Sequence, residues 1–179
     1  MPRLLLEGRP GVGKSTVAGR LVALLQQAGV PVAGFTTQEL RGHGRREGFA
    51  VESVAGERAV LAHVNLPGPP RVSRYGVDLQ AFERIALPAL RPPGAGGVLV
   101  VDELGRMELA SAAFRDALTD LLGQDVALVA TVQTARHRFT DALKHRPDVQ
   151  VVQVTETNRD ALPEHLGTRL ARAGPGRRR

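Results

Sequence analysis

The octapeptide GRPGVGKS, residues 8 to 15, constrains this chain more than any other stretch. It fits the pattern G-x-x-x-x-G-K-[ST] at every position. Gly8, Gly11 and Gly13 let the backbone curl, so that successive N–H groups turn inward and form a nest for anionic oxygens. Arg9, Pro10 and Val12 fill the intervening positions of that nest. A helix starting at Lys14 adds the positive end of its dipole. In such a loop the Lys14 ammonium reaches the β- and γ-phosphates, the Ser15 hydroxyl ligates magnesium, and Thr16 is placed to bond the α-phosphate. The motif needs a strand before it and a helix after it, and the sequence predicts both. RLLLEG (3–8) is a short apolar strand; Val17, Leu21, Leu24, Leu25 and Ala28 then recur at helical spacing until Gly29 stops the helix. The loop implies a nucleoside triphosphate and leaves open what is done with it.

The rest of the chain alternates strand and helix. VPVAGFTT (30–37) reads as a second strand, and residues 46–63 read as a hairpin with Ala55, Gly56 and Glu57 near its turn. Residues 64–76, rich in proline and glycine, read as a long loop, followed by a helix from about 78 to 90 with Asp78 as its cap. An apolar strand at 97–101 precedes a helix at 111–122 that buries Phe114, Ala117, Leu118, Leu121 and Leu122. VALVAT (126–131), a helix near 138–145 and the strand VQVVQVT (149–155) follow. The last helix shows Leu162, Leu166 and Leu170 on one face; Pro163 fits only its first turn, which puts the cap near Asp160. Continuous apolar strands between amphipathic helices predict a mostly parallel sheet covered on both faces. The fold class is therefore α/β, a P-loop NTPase three-layer sandwich with a β-hairpin inserted after the second strand. Residues 1–173 read as one domain and residues 174–179, which include Arg177 to Arg179, as a basic, disordered tail.

VLVVDELGRMEL (98–109) carries the second half of the chemistry. An apolar strand ending in Asp102, in a chain with a phosphate loop, supplies the carboxylate that holds magnesium, usually through water. Ser15 and Asp102 are thus the candidate metal ligands. Glu103 beside it is placed to orient and deprotonate a water for in-line attack on the γ-phosphorus, or else to pair with a neighbouring arginine. A kinase needs no water activator there; a hydrolase does. Arg106 either pairs with Glu103 or Glu108 or reaches the γ-phosphate in cis as an arginine finger. Lys14, Glu103 and Arg106 are the candidate catalytic residues, and Leu104 and Gly105 between them belong to the nucleotide-contacting segment. Glu108 receives no role. Other strand ends carry polar residues: Thr131 and Gln133 as γ-phosphate sensors or as caps and loop residues, and Asn158 and Arg159 after the last strand, where the arginine either lies on the base or bonds the ribose or is a surface residue; Thr36, Glu39 and Arg41 after the second strand are candidates for the same crevice.

Composition excludes several alternatives. The chain has no cysteine, so disulfides, zinc–thiolate sites and thiol catalysis are out. Its five histidines are scattered without metal-ligand spacing and read as structural. No apolar run approaches the roughly 18 residues of a membrane span, and the N-terminal apolar stretch is too short for a secretory segment, so the chain reads as cytoplasmic. The net charge of +6 raises nucleic acid as a partner, but aromatic residues make up only 3%, which leaves few stacking platforms. The reading is a monomer acting on a small-molecule nucleoside triphosphate, with nucleic acid disfavoured.

GRPGVGKST, GFTTQELRGHGRREGF (34–49), RVSRYGVDLQAFE (71–83), VVDELGRMEL (100–109) and NRD (158–160) together resemble the small P-loop nucleoside-triphosphatases of thermophilic prokaryotes, whose eukaryotic relatives are called cancer-related nucleoside-triphosphatase. These stretches cover the chain nearly end to end, and DELGRMEL is the most diagnostic of them. Leu104 stands where isoleucine is common, Arg106 where lysine is common and Ser73 where glycine is common; the arginine keeps the charge but not the geometry. The resemblance implies magnesium-dependent hydrolysis of ATP, GTP and other nucleoside triphosphates to diphosphate and phosphate, with loose base preference, slow turnover and a RecA-like sheet. The alternatives are a nucleotide or nucleoside kinase and a nucleic-acid-coupled ATPase. Strand order discriminates the first of these. A hydrolase with this acid pair places the 126–131 strand between the phosphate-loop strand and the Asp102 strand; direct adjacency favours a kinase.

Overall fold

The computed structural model describes residues 1–172; the predicted tail at 174–179 lies outside the described residues. The first half runs β1 (Arg3–Gly8), α1 (Lys14–Gln27), β2 (Val32–Gly42), β3 (Arg45–Ser53), β4 (Arg58–His63), β5 (Arg71–Val72), β6 (Tyr75–Val77) and α2 (Leu79–Ala89). The second half runs β7 (Val98–Leu104), a 3-10 turn at Glu108–Ala110, α3 (Ala112–Leu122), β8 (Ala127–Gln133), α4 (Arg138–Lys144), β9 (Gln150–Gln153) and α5 (Leu162–Arg172).

All the strands among the described residues join one sheet in the order β5-β6-β4-β3-β2-β7-β8-β1-β9. The five strands from β2 to β9 in that order run parallel. The central ones bury side chains on both faces, which is why they read as continuous apolar runs. Leu5, Leu99, Val101, Leu128 and Ala130 point into one core, and Leu4, Leu6, Val98, Val100 and Val129 into the other. The first core is roofed by α2 and α3, where Phe82 and Phe114 meet Phe35 of β2 at ring-centroid distances of 5.7 Å each. The second is closed by α1 and α5 through Val17, Leu21, Leu25, Leu166 and Leu170.

The cap predicted at Asp78 forms, and two unpredicted side-chain caps join it. Asp78 accepts from the Ala81 N–H at the start of α2, Ser111 from the Phe114 N–H at α3, and His137 from the Phe139 N–H at α4. The hairpin expected at 46–63 is β3 and β4, with its turn through Gly56. Two expectations change. The second strand does not stop at 37: β2 continues to Gly42, turns at His43 and Gly44, both at positive φ, and pairs antiparallel with β3. The predicted loop at 64–76 contains β5 and extends into β6, strands of two and three residues, too short to show an alternating pattern. The inserted hairpin is therefore part of a four-strand antiparallel extension of the parallel sheet. Among the described residues no helix is long and apolar enough to cross a membrane.

Candidate nucleotide and catalytic site

The site lies at the C-terminal ends of the parallel strands, where open α/β sheets bind ligands. β8 lies between β1 and β7, as expected for a hydrolase with this acid pair. β1 ends at Gly8 and α1 starts at Lys14, so the phosphate loop joins a strand end to a helix start. Gly13, the residue before the helix, sits at φ 109°, a conformation that strains any residue with a Cβ. No side chain caps α1 and no acid occupies its first turn. Its leading N–H groups and dipole thus remain available to an anion. They face a cavity of about 560 Å³ that Pro10, Gly11, Gly13, Ser15 and Thr16 line on one side.

Lys14 is almost completely buried. Its ammonium donates to the carbonyls of Gly8 at 3.1 Å and Arg9 at 3.3 Å and lies 3.8 Å from Glu103 Oε2. Asp102 is fully buried. Its Oδ1 accepts from Ser15 Oγ at 3.1 Å and from Thr131 Oγ1 at 2.5 Å, whereas its Oδ2 has no partner among the described residues. Burial raises its pKa, and the neighbouring Glu103 charge adds to that; the Thr131 and Ser15 hydroxyls and the Thr37 N–H act the other way. A buried carboxylate oxygen without a partner is costly, and a cation offsets that cost. Ser15 hydroxyl and Asp102 carboxylate are both hard oxygen donors of the kind that magnesium takes. The residues present therefore fit the ion.

Glu103 follows Asp102 directly, and in a regular strand its side chain would leave by the opposite face. The register of β7 on β8 shifts between Val101 and Leu104, a bulge of the kind that re-aims side chains beside active sites. Both acids consequently reach the phosphate loop: Asp102 meets Ser15, and Glu103 approaches Lys14 while accepting a hydrogen bond from Gln133 Nε2. The 3-10 turn after them brings Glu108 back underneath. Its carboxyl is buried against the N–H groups of Gly105 and of its own residue, and burial, with Glu103 and Asp102 close by, pushes its pKa up to about 8. Gly105 leaves the room for this. A Cβ there would stand 2.7 Å from Glu108 Oε2 and 3.1 Å from Glu103 Oε1.

The remaining expected residues divide. Arg106 is exposed on the cavity wall and makes no ion pair among the described residues, so it pairs with neither Glu103 nor Glu108. Arg159 donates to the Val12 carbonyl at 3.1 Å and lines a separate cavity of about 220 Å³ with Thr16, on the outer side of the loop. Asn158 is spent on local structure: its amide bonds the Thr155 N–H and the Gln153 carbonyl, each at 2.8 Å. Thr131 and Gln133 grip the two acids. Leu104, expected against the nucleotide, is instead buried in the core beside β8, as the alternation beyond the bulge requires. Of Thr36, Glu39 and Arg41, only Glu39 lines the cavity, held by ion pairs to Arg41 and Arg46. Arg46, Phe49 and Met107 also line it; they lie in stretches that carry the resemblance, yet nothing local gives them a place in the site, because the antiparallel extension brings the first two in from elsewhere in the chain.

A glycine loop on a helix start, with a strand-end carboxylate reaching its serine and one strand inserted between, defines a P-loop NTPase. Comparison narrows the class. The chain belongs to the NTPase family whose sequence model, described simply as "NTPase", matches residues 3–166. Nucleoside-triphosphatase THEP1 of Thermotoga petrophila is 39% identical over 167 residues, 92% of this chain and 90% of the relative. Human cancer-related nucleoside-triphosphatase is 39% identical over 173 residues, 89% of this chain and 91% of its own. The crystal structure of THEP1 from Aquifex aeolicus superposes with a TM-score of 0.82 at 29% identity, covering 95% of this chain and 99% of that one.

Proposed function

We propose that this enzyme hydrolyses ATP, GTP and other nucleoside triphosphates to the diphosphate and phosphate, with loose base preference and with magnesium as its cofactor. The β- and γ-phosphates lie in the Gly8–Thr16 loop, against the uncapped start of α1 and the Lys14 ammonium. Ser15 and Asp102 hold the metal, directly or through water; the ion, when bound, neutralises phosphate charge. Glu103 orients the attacking water and accepts its proton, with Gln133 fixing the carboxylate. Arg106 is the candidate for stabilising charge on the transferred phosphoryl group, and Arg159 for the base or ribose. The reading needs neither nucleic acid nor a second subunit, and it assigns the work to the cytoplasm.

One observation carries the reading. Asp102 and Glu103 adjoin in the chain yet have separate partners, Asp102 on Ser15 and Thr131 and Glu103 on Gln133. Separate partners support separate tasks, one for a metal and one for water. The position of β8 supports hydrolysis over the kinase alternative. Glu103→Gln should leave nucleotide binding intact and slow phosphate release by about 10²-fold or more. Phosphate release from ATP, GTP, CTP and UTP, with and without magnesium and with nucleoside monophosphates as acceptors, is the assay. Near-wild-type turnover of the variant, or a phosphorylated acceptor in place of free phosphate, would overturn the proposal.

A further inference from the structure

The chain has 24 lysines and arginines, yet only Lys14 and Lys144 are lysines. Lys14 belongs to the phosphate loop. Lys144 ends α4, on the other side of the parallel sheet from α1, and is largely buried, with 15% of its side chain exposed. Its ammonium forms an ion pair with Glu7 Oε1 and donates to the Gln133 backbone carbonyl at 3.2 Å. Both partners are next to the chemistry. Glu7 immediately precedes Gly8, the first residue of the phosphate loop, and its second carboxylate oxygen accepts from Gln153 Nε2 of β9 at 2.5 Å. Gln133 is the last residue of β8 and donates its side-chain amide to Glu103. One ammonium therefore joins the stem of the phosphate loop to the residue that holds the proposed base.

We propose that Lys144 is a positioning residue for hydrolysis: it fixes the backbone at Gln133, and through the Gln133 side chain it sets where the Glu103 carboxylate stands relative to the phosphate loop. A point charge with three donors suits this place. It reaches a carboxylate and a carbonyl on adjacent strand ends at once, whereas a planar guanidinium imposes its own fork geometry. Without the ammonium the end of β8 loses its link to β1 beyond the ladder, since the last paired residues there are Gly8 and Gln133. A base misplaced by a fraction of an ångström binds nucleotide as before and turns it over slowly. The inference rests on the role proposed for Glu103.

The test is steady-state phosphate release by Lys144→Met, Gln133→Ala and the pair, with nucleotide affinity and thermal stability measured on each. Lys144→Met leaves Glu7 without its counter-charge, so Glu7→Gln with Lys144→Met is made in parallel to restore charge balance and folding. The expected result is a fall in kcat of about 10- to 100-fold in both Lys144 variants, with KM within about threefold of wild type. In the Gln133→Ala background the Lys144 substitution should cost almost nothing further, because the link it acts through is already cut. Wild-type kcat in the charge-balanced variant, or full additivity of the two substitutions, would overturn the proposal. Glu103→Gln, run alongside, separates the two claims. If that variant is slow and Lys144→Met is not, only the positioning role falls; if Glu103→Gln is itself fast, the role of the base falls first.

Discussion

Glu108 is buried, sits beside Glu103 and Asp102, and has its pKa raised from 4.5 to about 8. The folded state therefore holds the proton more tightly than the unfolded chain does. The stability this confers is complete below about pH 4.5 and is lost as pH rises to about 8. A shift of about 3.5 units at 1.36 kcal/mol per unit makes the full loss about 5 kcal/mol, of which about 3 kcal/mol is already gone at pH 7. Glu108→Gln keeps the shape and an acceptor for the Gly105 N–H but cannot ionise. The variant's stability minus that of wild type should therefore climb by about 1.4 kcal/mol per pH unit between pH 5 and 8 and level off above. Asp102 is shifted in the same direction in both proteins, and its charge is one of the causes of the Glu108 shift that the substitution removes. The assay is urea unfolding without nucleotide at five pH values from 5 to 9, compared by linear extrapolation with unchanged m. A constant offset between the two proteins across that range would refute the reasoning, since a fixed packing cost does not depend on pH.

Asp102→Asn should abolish hydrolysis, because it removes the carboxylate proposed to hold the metal. It should leave the nucleotide-free protein as stable as wild type or more so by about 1–3 kcal/mol, because it removes an unpartnered buried carboxylate; thermal melts with and without magnesium check this. Arg106→Ala should lower kcat by about 10²-fold with no change in melting temperature, since the side chain is exposed and unpaired among the described residues; a loss of stability in place of turnover would contradict it. Gly105→Ala should slow turnover and destabilise the protein by about 1–3 kcal/mol, because the added methyl meets two carboxyl groups, and the chemical denaturation midpoint reads the second effect.

The phosphate loop and the two layers of helices were legible because each rests on a local pattern: a glycine spacing, an apolar period, a capping residue. Of the strand order, one placement was readable, that of β8 between β1 and β7, and only through the acid pair, whose chemistry predicts the inserted strand. What escaped was non-local. β5 and β6 are too short to announce themselves, and Phe49 and Arg46 reach the cavity only because β2 runs on to Gly42 and turns back. Leu104 was misplaced because a bulge between Val101 and Leu104 cannot be read from an apolar run. Thr131 and Gln133 were visible as polar strand ends, but their partners lie 29 and 30 residues away, and the link from Lys144 to Glu7 spans 137. No window of sequence contains such a contact.

The strand order also determines what the molecule offers to its neighbours in solution. A sheet of nine strands has two open edges, and here they are its shortest or near-shortest members: β5, of two residues, and β9, of four. Arg71 occupies the first edge, and Arg169 of α5 reaches over to Gln150 on the second at 2.7 Å. At either of these outermost strands a foreign strand finds at most four residues to pair with, too few for a lasting ladder; inside the sheet, residues 36–42 of β2 pair with β3 alone. The strands with the unbroken apolar runs, β1, β7 and β8, each have a strand on both sides. The antiparallel extension thus sets β7 and β8 in the middle of the sheet and leaves β5, a strand of two residues, as the one a neighbour meets on that side.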